Sequence, residues 1–359
     1  MLVQRLLLTC SLAAAVGTTA AQTVHHVGVG GFATIDAAIA AASPGDTILV
    51  DPGQHVSFTL NKGLTIRGSP SAQISTLGSF QPIVQIPAGQ QAHLTDLQMM
   101  SLVGSGNVTL DRCSFSTNFP RLAFTQATVH MQRCTVSGTS LQYAATQAPI
   151  SLQDSQLFAS DSSFRGIDGI LAASGAITLV NSKLYGSRLT IETGIGPAPA
   201  ALTADAASEV VLCDSTLLRP SGGCPLVASQ GRLDRCTLTP ACSPLPTLPV
   251  LGISQPVHPQ IGQNLVVAFR SAPGDLIFVW AAFELAPQHV PFLQGPALLP
   301  LASAFPLTTL VADAAGSAGA SWPVPFNLSL QHHQVWLQGV QGTSLPLPAS
   351  VAVGGLQIG

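Results

Sequence analysis

Six charged residues stand out in the middle of the chain because charge is scarce elsewhere. Only 8% of the residues are Asp, Glu, Lys or Arg. The six are Asp161, Arg165, Asp168, Arg188, Glu192 and Asp205. Carboxylates on one surface can act as general acid and base or bind calcium, and guanidinium groups can hold an anion. Three interpretations follow, namely solvated loop charges, one shared binding site, or a catalytic site.

The elements that would position these residues are copies of a short phrase. It reads V-T-L-D-R-C-S-F at Val108–Phe115 and V-H-M-Q-R-C-T-V at Val129–Val136. Four further copies begin at Ile150, Ile177, Val210 and Gly231. Repetition at a period of a few tens of residues is typical of a solenoid, in which each copy forms one turn stacked on the next.

Each copy predicts two short strands separated by a tight turn. Apolar and polar residues alternate, the alternation breaks, and a Cys or Ser then precedes another apolar position. Asp154, Asn181 and Asp214 fit the break because Asp and Asn tolerate a left-handed backbone. Arg112 and Arg133 occupy it as well, without a local reason. An ion pair between Arg133 and Asp154 is predicted, since aligned copies would stack one strand spacing apart.

A third strand is expected before each copy, which gives three parallel sheets that close by coiling. The candidates are Ile83–Ile86, Leu122–Thr125, Leu141–Ala144, Ile170–Ala173, Ala201–Ala204 and Leu226–Ser229. None of these segments contains Asp, Glu, Lys, Arg or His. Because glycoside hydrolysis generally needs two carboxylates on one surface, this face argues against that chemistry.

The N-terminal part carries a more specific pattern. It reads A-T-I-D-A-A-I-A-A-A at Ala33–Ala42, and Pro44 then precedes G-D-T-I-L-V at Gly45–Val50. These residues resemble the start of right-handed parallel β-helix proteins of the pectin-lyase-like superfamily. The resemblance implies an amphipathic helix that caps the open end, N-capped by Thr34. The expected fold is all-β, a right-handed parallel β-helix with three strands per rung and a small β-sandwich after it.

The resemblance is informative about fold and much less about activity, because families with unrelated functions share this architecture. Its enzymes place acidic and basic residues on the third-strand face, and the polygalacturonase signatures N-T-D, D-D, G-H-G and R-I-K are absent here. We therefore expect a non-catalytic structural or binding module, with glycan as the favoured ligand. The alternative is a divergent polysaccharide lyase or hydrolase. No cofactor is expected, and calcium belongs only to the lyase alternative.

Four regions are predicted along the chain. Residues 1–21 read as a signal peptide, with Arg5 before the apolar run Leu6–Val16 and cleavage after Ala21. The mature protein is therefore expected to be secreted or held at the cell surface. The β-helix spans 22–242, a Pro-rich linker 243–249, and a β-sandwich with all three tryptophans 250–359. The last region is similar to C-terminal domains of exported proteins from planctomycete-like bacteria.

Charge and cysteine usage narrow the partners. A net charge of −3 with 13 basic residues leaves no basic stripe for nucleic acid, and no later stretch is long and apolar enough to span a membrane.

Cys113 and Cys134 hold the same repeat position and should stack, either bonded or as buried thiols. A second group is close enough to staple the end of the solenoid, namely Cys213, Cys224, Cys236 and Cys242. Disulfide pairing and oligomeric state stay open.

Overall fold

The structure is a computed structural model of the full chain. In the first, N-terminal part of the chain, the structure describes residues 23–75, 81–117, 121–138, 147–168 and 173–242. The C-terminal part describes residues 244–246, 251–254, 263–283, 293–294, 297, 299, 302–323, 334–342, 347–348 and 354–357. The predicted signal peptide and the candidate strand Leu141–Ala144 lie outside these ranges, as does most of Ile170–Ala173.

The described residues of the first part form one short helix and 25 strands. The helix is α1 (Ile35–Ala41). The strands are β1 (Val24–Val27), β2 (Thr47–Val50), β3 (Gly53–Val56), β4 (Thr59–Leu60), β5 (Thr65–Gly68), β6 (Ala72–Ser75), β7 (Ile83–Gln85), β8 (Gln91–Thr95), β9 (Gln98–Met99), β10 (Ser101–Asp111), β11 (Ser114–Thr117), β12 (Arg121–Gln132), β13 (Thr135–Gly138), β14 (Ile150–Gln153), β15 (Gln156–Ser160), β16 (Ser163–Ile167), β17 (Ile177–Val180), β18 (Lys183–Ser187), β19 (Thr190–Glu192), β20 (Leu202–Ala204), β21 (Glu209–Cys213), β22 (Thr216–Leu218), β23 (Leu226–Val227), β24 (Gly231–Asp234) and β25 (Thr237–Thr239).

These strands confirm the predicted parallel solenoid with three strands per turn. The first sheet runs β1-β2-β5-β8 through the second halves of β10 and β12 to β15-β18-β21-β24. The second sheet is nine-stranded, in the order β3-β6-β9-β11-β13-β16-β19-β22-β25. The third contains β4, β7, the first halves of β10 and β12, and β14-β17-β20-β23. Because β10 and β12 run across a corner, the first and third sheets share hydrogen bonding.

The predicted capping helix is confirmed at the N-terminal end. Thr34 Oγ1 accepts a hydrogen bond from the Ala37 N–H at 3.2 Å, which satisfies one of the donors left free at a helix start. Ile35 and Ala38 are fully buried against the first turn. Lys62 Nζ donates to the carbonyl oxygens of Ile39 and Ala42 at 2.8 Å, so an ammonium group satisfies the free carbonyls at the helix end.

The repeat phrase occurs at two different corners, which corrects the single alignment predicted from the sequence. Arg112, Arg133 and Asp214 lie between the first and second sheets, at a corner we call the arginine corner. Asp154 and Asn181 lie between the third and first sheets, at the other end of the first-sheet strands. Ile150–Gln153 and Ile177–Val180, read from sequence as first strands, therefore belong to the third sheet.

One predicted contact is wrong for the same reason. Arg133 does not pair with Asp154, because the two residues occupy different corners. Its Nη2 instead bonds to Asp111 Oδ1 of the preceding turn at 2.7 Å. The expectation of left-handed turn residues is confirmed at both corners, with φ near 51° at Arg112 and near 50° at Asp154.

The solenoid core is a continuous apolar column. Inward side chains from all three sheets form one buried cluster that includes Phe115, Phe124 and Phe164. Cys113 and Cys134 are buried one above the other as predicted and are free thiols, each donating to a backbone carbonyl oxygen. At the C-terminal end Cys224 and Cys242 form a disulfide bond, while Cys213 and Cys236 are free.

The two larger sheets of the C-terminal part are antiparallel and fit the predicted small β-sandwich. Its strands are β26 (Gly252–Ser254), β27 (Asn264–Arg270), β28 (Leu276–Ala282), β29 (Leu293–Gln294), β30 (Phe305–Val311), β31 (Ser317–Pro323), β32 (Gln334–Gln341), β33 (Leu347–Pro348) and β34 (Gly354–Gln357). A three-stranded sheet, β26-β27-β31, and a four-stranded sheet, β30-β28-β32-β34, enclose a core around Val267, Phe269 and Val279. The sequence also predicts a strand over Val351–Val353, which lies outside the described residues.

Candidate functional site

Asp161 and Arg188 form an ion pair at the arginine corner. Asp161 directly follows the first-sheet strand β15, and Arg188 directly follows β18 one turn later. Arg188 Nε donates to Asp161 Oδ1 and Nη2 to Oδ2, both at 2.6 Å. This bidentate geometry is the strong form of an arginine–carboxylate contact. The corner therefore brings together two of the six candidate residues, and it neutralises both.

The same arrangement recurs along the corner, which explains why arginine occupies a turn position. Arg112 bonds to Asp96 of the preceding turn at 2.5 and 2.6 Å, and Arg235 bonds to Asp214 at 2.7 Å. Burial acts to raise the pKa of Asp96, but the hydrogen bonds and charge of Arg112 hold that pKa below its usual value. Each arginine reaches back to an acid one turn earlier, so the ladder ties neighbouring turns together.

Removing one of these pairs should cost stability. We expect Arg188→Ala to lower the free energy of unfolding by about 1 kcal/mol, because the bidentate bond is half-shielded from water. A double-mutant cycle with Asp161→Asn in urea should give a coupling energy of about 0.5–1 kcal/mol. Arg121→Ala is the control, since this exposed arginine has no ion pair within the described residues. A coupling energy near zero would contradict a structural role for the pair.

Arg165, Asp168 and Glu192 gather at the edge of the second sheet. Arg165 Nη2 contacts both carboxylate oxygens of Asp168, at 3.0 and 3.3 Å. Arg165 also faces Glu192 directly across the strand pair β16–β19. Asp168 accepts a further hydrogen bond from the Ile195 N–H at 2.6 Å, which fixes the loop that follows Glu192. These three residues are half-exposed and form a mixed-charge cluster that can offer polar contacts to a ligand.

Asp205 lies apart from the other five candidates. It follows β20 at the corner between the third and first sheets, where its carboxylate accepts hydrogen bonds from the Asn181 N–H and Ser208 Oγ. The Ser208 hydroxyl, followed by backbone N–H groups, lowers the pKa of Asp205. The five-residue strand β18 separates this corner from Arg188, a span of about 16 Å. The structure therefore distributes the six candidates over three places.

Metal binding was expected only under the lyase alternative. Within the part of the chain that the structure describes, no three His, Cys, Asp or Glu side chains group in a way that could hold a metal ion. In the same residues, no helix has the length and apolar content needed to cross a bilayer.

A polar ladder on the second sheet was missed by the sequence reasoning. The first outward position of each strand aligns from turn to turn, and the nine residues in register are Gln54, Gln73, Gln98, Ser114, Thr135, Ser163, Thr190, Thr216 and Thr237. All nine are neutral hydrogen-bonding side chains, and each is exposed or half-exposed. In the sequence, the ladder could have been found from the polar residue that directly follows Cys or Ser in the repeat copies at the arginine corner.

The C-terminal sheets, here called the C-terminal domain, cover the outer face of the first sheet over its middle turns. Phe158, Tyr185 and Val211 of this face form one buried cluster with Ala282 and Trp336. Trp280 packs against the same cluster. The second and third sheets therefore provide the outward faces that a long ligand could reach.

Comparisons of this chain with known proteins found little similarity. No family model and no curated protein matches the chain. Among solved structures, the enzymatically active domain of tailspike protein 4 from bacteriophage CBA120 is similar at 10% sequence identity and a TM-score of 0.31. The match covers 87% of this chain and 63% of the tailspike domain, so the chain spans less than two thirds of that protein's length.

Proposed function

We propose that the chain is an exported, non-catalytic β-helix of the pectin-lyase-like superfamily that binds an extended glycan along its second sheet. The observation that carries this proposal is the aligned ladder of nine Gln, Ser and Thr side chains. A ladder of this length suits a polymer better than a small molecule. The C-terminal domain, akin to those of planctomycete-like exported proteins, packs against the first sheet and leaves the ladder uncovered.

The chemistry of the ladder favours a neutral polyhydroxylated chain. Every ladder residue carries a hydroxyl or amide that can both donate and accept hydrogen bonds. Turns of a parallel sheet repeat every 4.8 Å or so, which is comparable to one sugar unit of an extended polysaccharide. Because the ladder itself carries no charge, it offers no counter-ion for a polyanion. Arg165, Asp168 and Glu192 flank its middle with one positive and two negative groups, so the charge there is mixed in sign rather than basic.

The non-catalytic part of the proposal rests on how the carboxylates are used. Asp161 is held by Arg188, Asp168 by Arg165 and a backbone N–H, and Asp205 by Asn181 and Ser208. A glycosidase needs an acid and a base or nucleophile on opposite sides of one scissile bond. These three carboxylates are instead engaged in holding corners and loops, so we assign them structural and contact roles.

A glycan array with ladder variants tests the proposed ligand and its place. Thr135→Lys and Thr190→Lys put long charged side chains on the ladder, and each should weaken glycan affinity at least tenfold by blocking two turns. Ser151→Lys and Thr178→Lys on the third sheet are the matched controls and should leave affinity unchanged. If only the third-sheet variants lose affinity, the ladder is not the site. If the protein binds no glycan on the array, the ligand proposal fails.

A turnover screen tests the non-catalytic part. Polysaccharides are incubated with the protein with and without calcium, and new reducing ends or unsaturated products are measured. We expect none. Turnover that is lost in Asp161→Ala or Glu192→Ala would establish the lyase or hydrolase alternative instead.

The proposal of export rests on Arg5 and the apolar run Leu6–Val16. N-terminal sequencing of the exported protein should give Gln22 as the first residue.

A further inference from the structure

The contact between the C-terminal domain and the solenoid is built around a buried histidine. His130 points outward from β12 on the first sheet and is only 4% exposed because the domain covers it. Its ring stacks on Phe158 of the next turn with centroids 4.9 Å apart, and Phe158 stacks on Tyr185 at 5.2 Å. The three rings form an aromatic column, and Trp336 of the domain closes over it.

This packing leaves polar atoms without partners. Neither ring nitrogen of His130 has a hydrogen-bond partner within the described residues, and Trp336 Nε1 has none there either. A small cavity between the two side chains has Thr109, Gln132 and Ser160 as its other polar lining residues, and Met131, Phe158 and Ala159 complete the wall. Buried polar groups are normally paired, and an unpaired group that acquires a charge is far more costly still. The docked arrangement therefore accepts His130 only in its neutral form.

The charged and titratable groups around His130 offer no compensation. The facing groups on the first sheet are His93 on β8, Asp111 on β10 and Tyr185 on β18. His93 carries no negative charge that could stabilise a protonated His130. Tyr185 donates a hydrogen bond to Glu209, and the Asp111 carboxylate is already paired with Arg112 and Arg133. Phe158 of β15 is apolar. The described residues of β28 and β32 in the domain carry no charged side chain.

We propose that the C-terminal domain is held by an acid-labile contact, docked at neutral pH and released from the solenoid when His130 becomes protonated. The proposal is independent of the glycan ligand, because it concerns the first sheet rather than the ladder. Release would uncover the aromatic column and Trp336 together. The solenoid itself would stay folded, since its core and corner ion pairs do not depend on the domain.

The sign of the effect follows from linkage. Burial lowers the pKa of His130 to about 3 and that of His93 to about 4, whereas a solvated histidine titrates near 6.5. The undocked state therefore binds protons more readily than the docked state below about pH 6.5. With one histidine, the equilibrium constant for docking falls about tenfold for each pH unit below about 6.5. At pH 4.5 it is therefore about a hundredfold smaller than at neutral pH. Docking is complete above pH 6.5 and is lost as the pH falls.

The experiment follows docking in the full chain between pH 7.5 and pH 4. Small-angle scattering reports the radius of gyration, and the emission of the three tryptophans, all in the C-terminal region, reports exposure of Trp336. We expect an expanded particle and red-shifted emission on acidification, while far-UV circular dichroism stays that of the folded solenoid. Wild-type protein that stays compact to pH 4 would overturn the proposal.

Two variants isolate the histidine. His130→Phe keeps the ring stack but cannot take up a proton, so its transition should move at least one pH unit lower or disappear. His26→Phe is the matched control on an exposed histidine of the first turn and should leave the midpoint unchanged. If His130→Phe does not fold at pH 7, His130→Gln provides a neutral polar replacement with the same expectation. A variant midpoint equal to that of the wild type would overturn the proposal.

Discussion

Replacement of Phe164 by alanine will lower the free energy of unfolding by about 3–5 kcal/mol. Phe164 is fully buried and points inward from β16 in the middle of the solenoid, in register with Val136 and Ile191 of the adjacent turns. The backbone hydrogen bonds of these turns hold the walls apart, so the cavity left by the ring cannot collapse. Guanidinium denaturation followed by circular dichroism measures the loss.

Phe278→Ala is the control for this prediction. Phe278 is 37% exposed on the outer side of β28, and its truncation should cost less than about 1 kcal/mol, as for most surface changes. A loss from Phe164→Ala as small as that of the control would mean that β16 does not point this side chain into the core. The register of the whole second sheet, and with it the polar ladder, would then be wrong.

Replacement of Trp336 by alanine should detach the C-terminal domain at neutral pH. The indole is 4% exposed and fills the space over Phe158 and Tyr185, and loss of a buried tryptophan typically costs about 3–5 kcal/mol. A contact between two domains of one chain is generally too weak to withstand a loss of free energy of that size. We expect a larger radius of gyration at pH 7.5 and separate thermal transitions for the two parts.

Trp322→Ala is the matched control for the detachment. Trp322 packs against the domain's own core rather than the solenoid, so its loss should weaken the domain without enlarging the particle before unfolding. A Trp336→Ala protein that keeps the wild-type radius of gyration would show that other contacts hold the domain. Detachment by both variants would show that the domain only docks when it is well folded.

The helical cap and the strand alternation were accessible from the sequence because they depend on local chemistry. Thr34 caps the helix with its own side chain, and the face of Ile35, Ala38 and Ile39 is set by the helical period. The inward stacking of Cys113 and Cys134 also followed from alternation, since side chains of a strand point alternately to the two faces. None of these features requires knowledge of which strands pair.

The assignment of corners failed because both corners use the same local solution. At the arginine corner the Ser162 Oγ donates to the carbonyl oxygen two residues earlier at 2.7 Å. At the other corner Ser155 makes the same bond at 2.6 Å. In both cases a left-handed residue precedes the serine. One phrase therefore serves two corners, and only the pairing of strands distinguishes them.

The sequence by itself determined that this chain coils into parallel turns, where its turns tighten, and that charged groups are scarce. Those properties are encoded within a few residues by alternation, turn chemistry and composition. Tertiary structure alone decided what the charges of the arginine corner do, because each arginine there and its acid in the preceding turn lie 16 to 27 residues apart along the chain. Stacking also made an exposed ladder of separate Ser, Thr and Gln residues, and it buried His130 beneath a distant tryptophan.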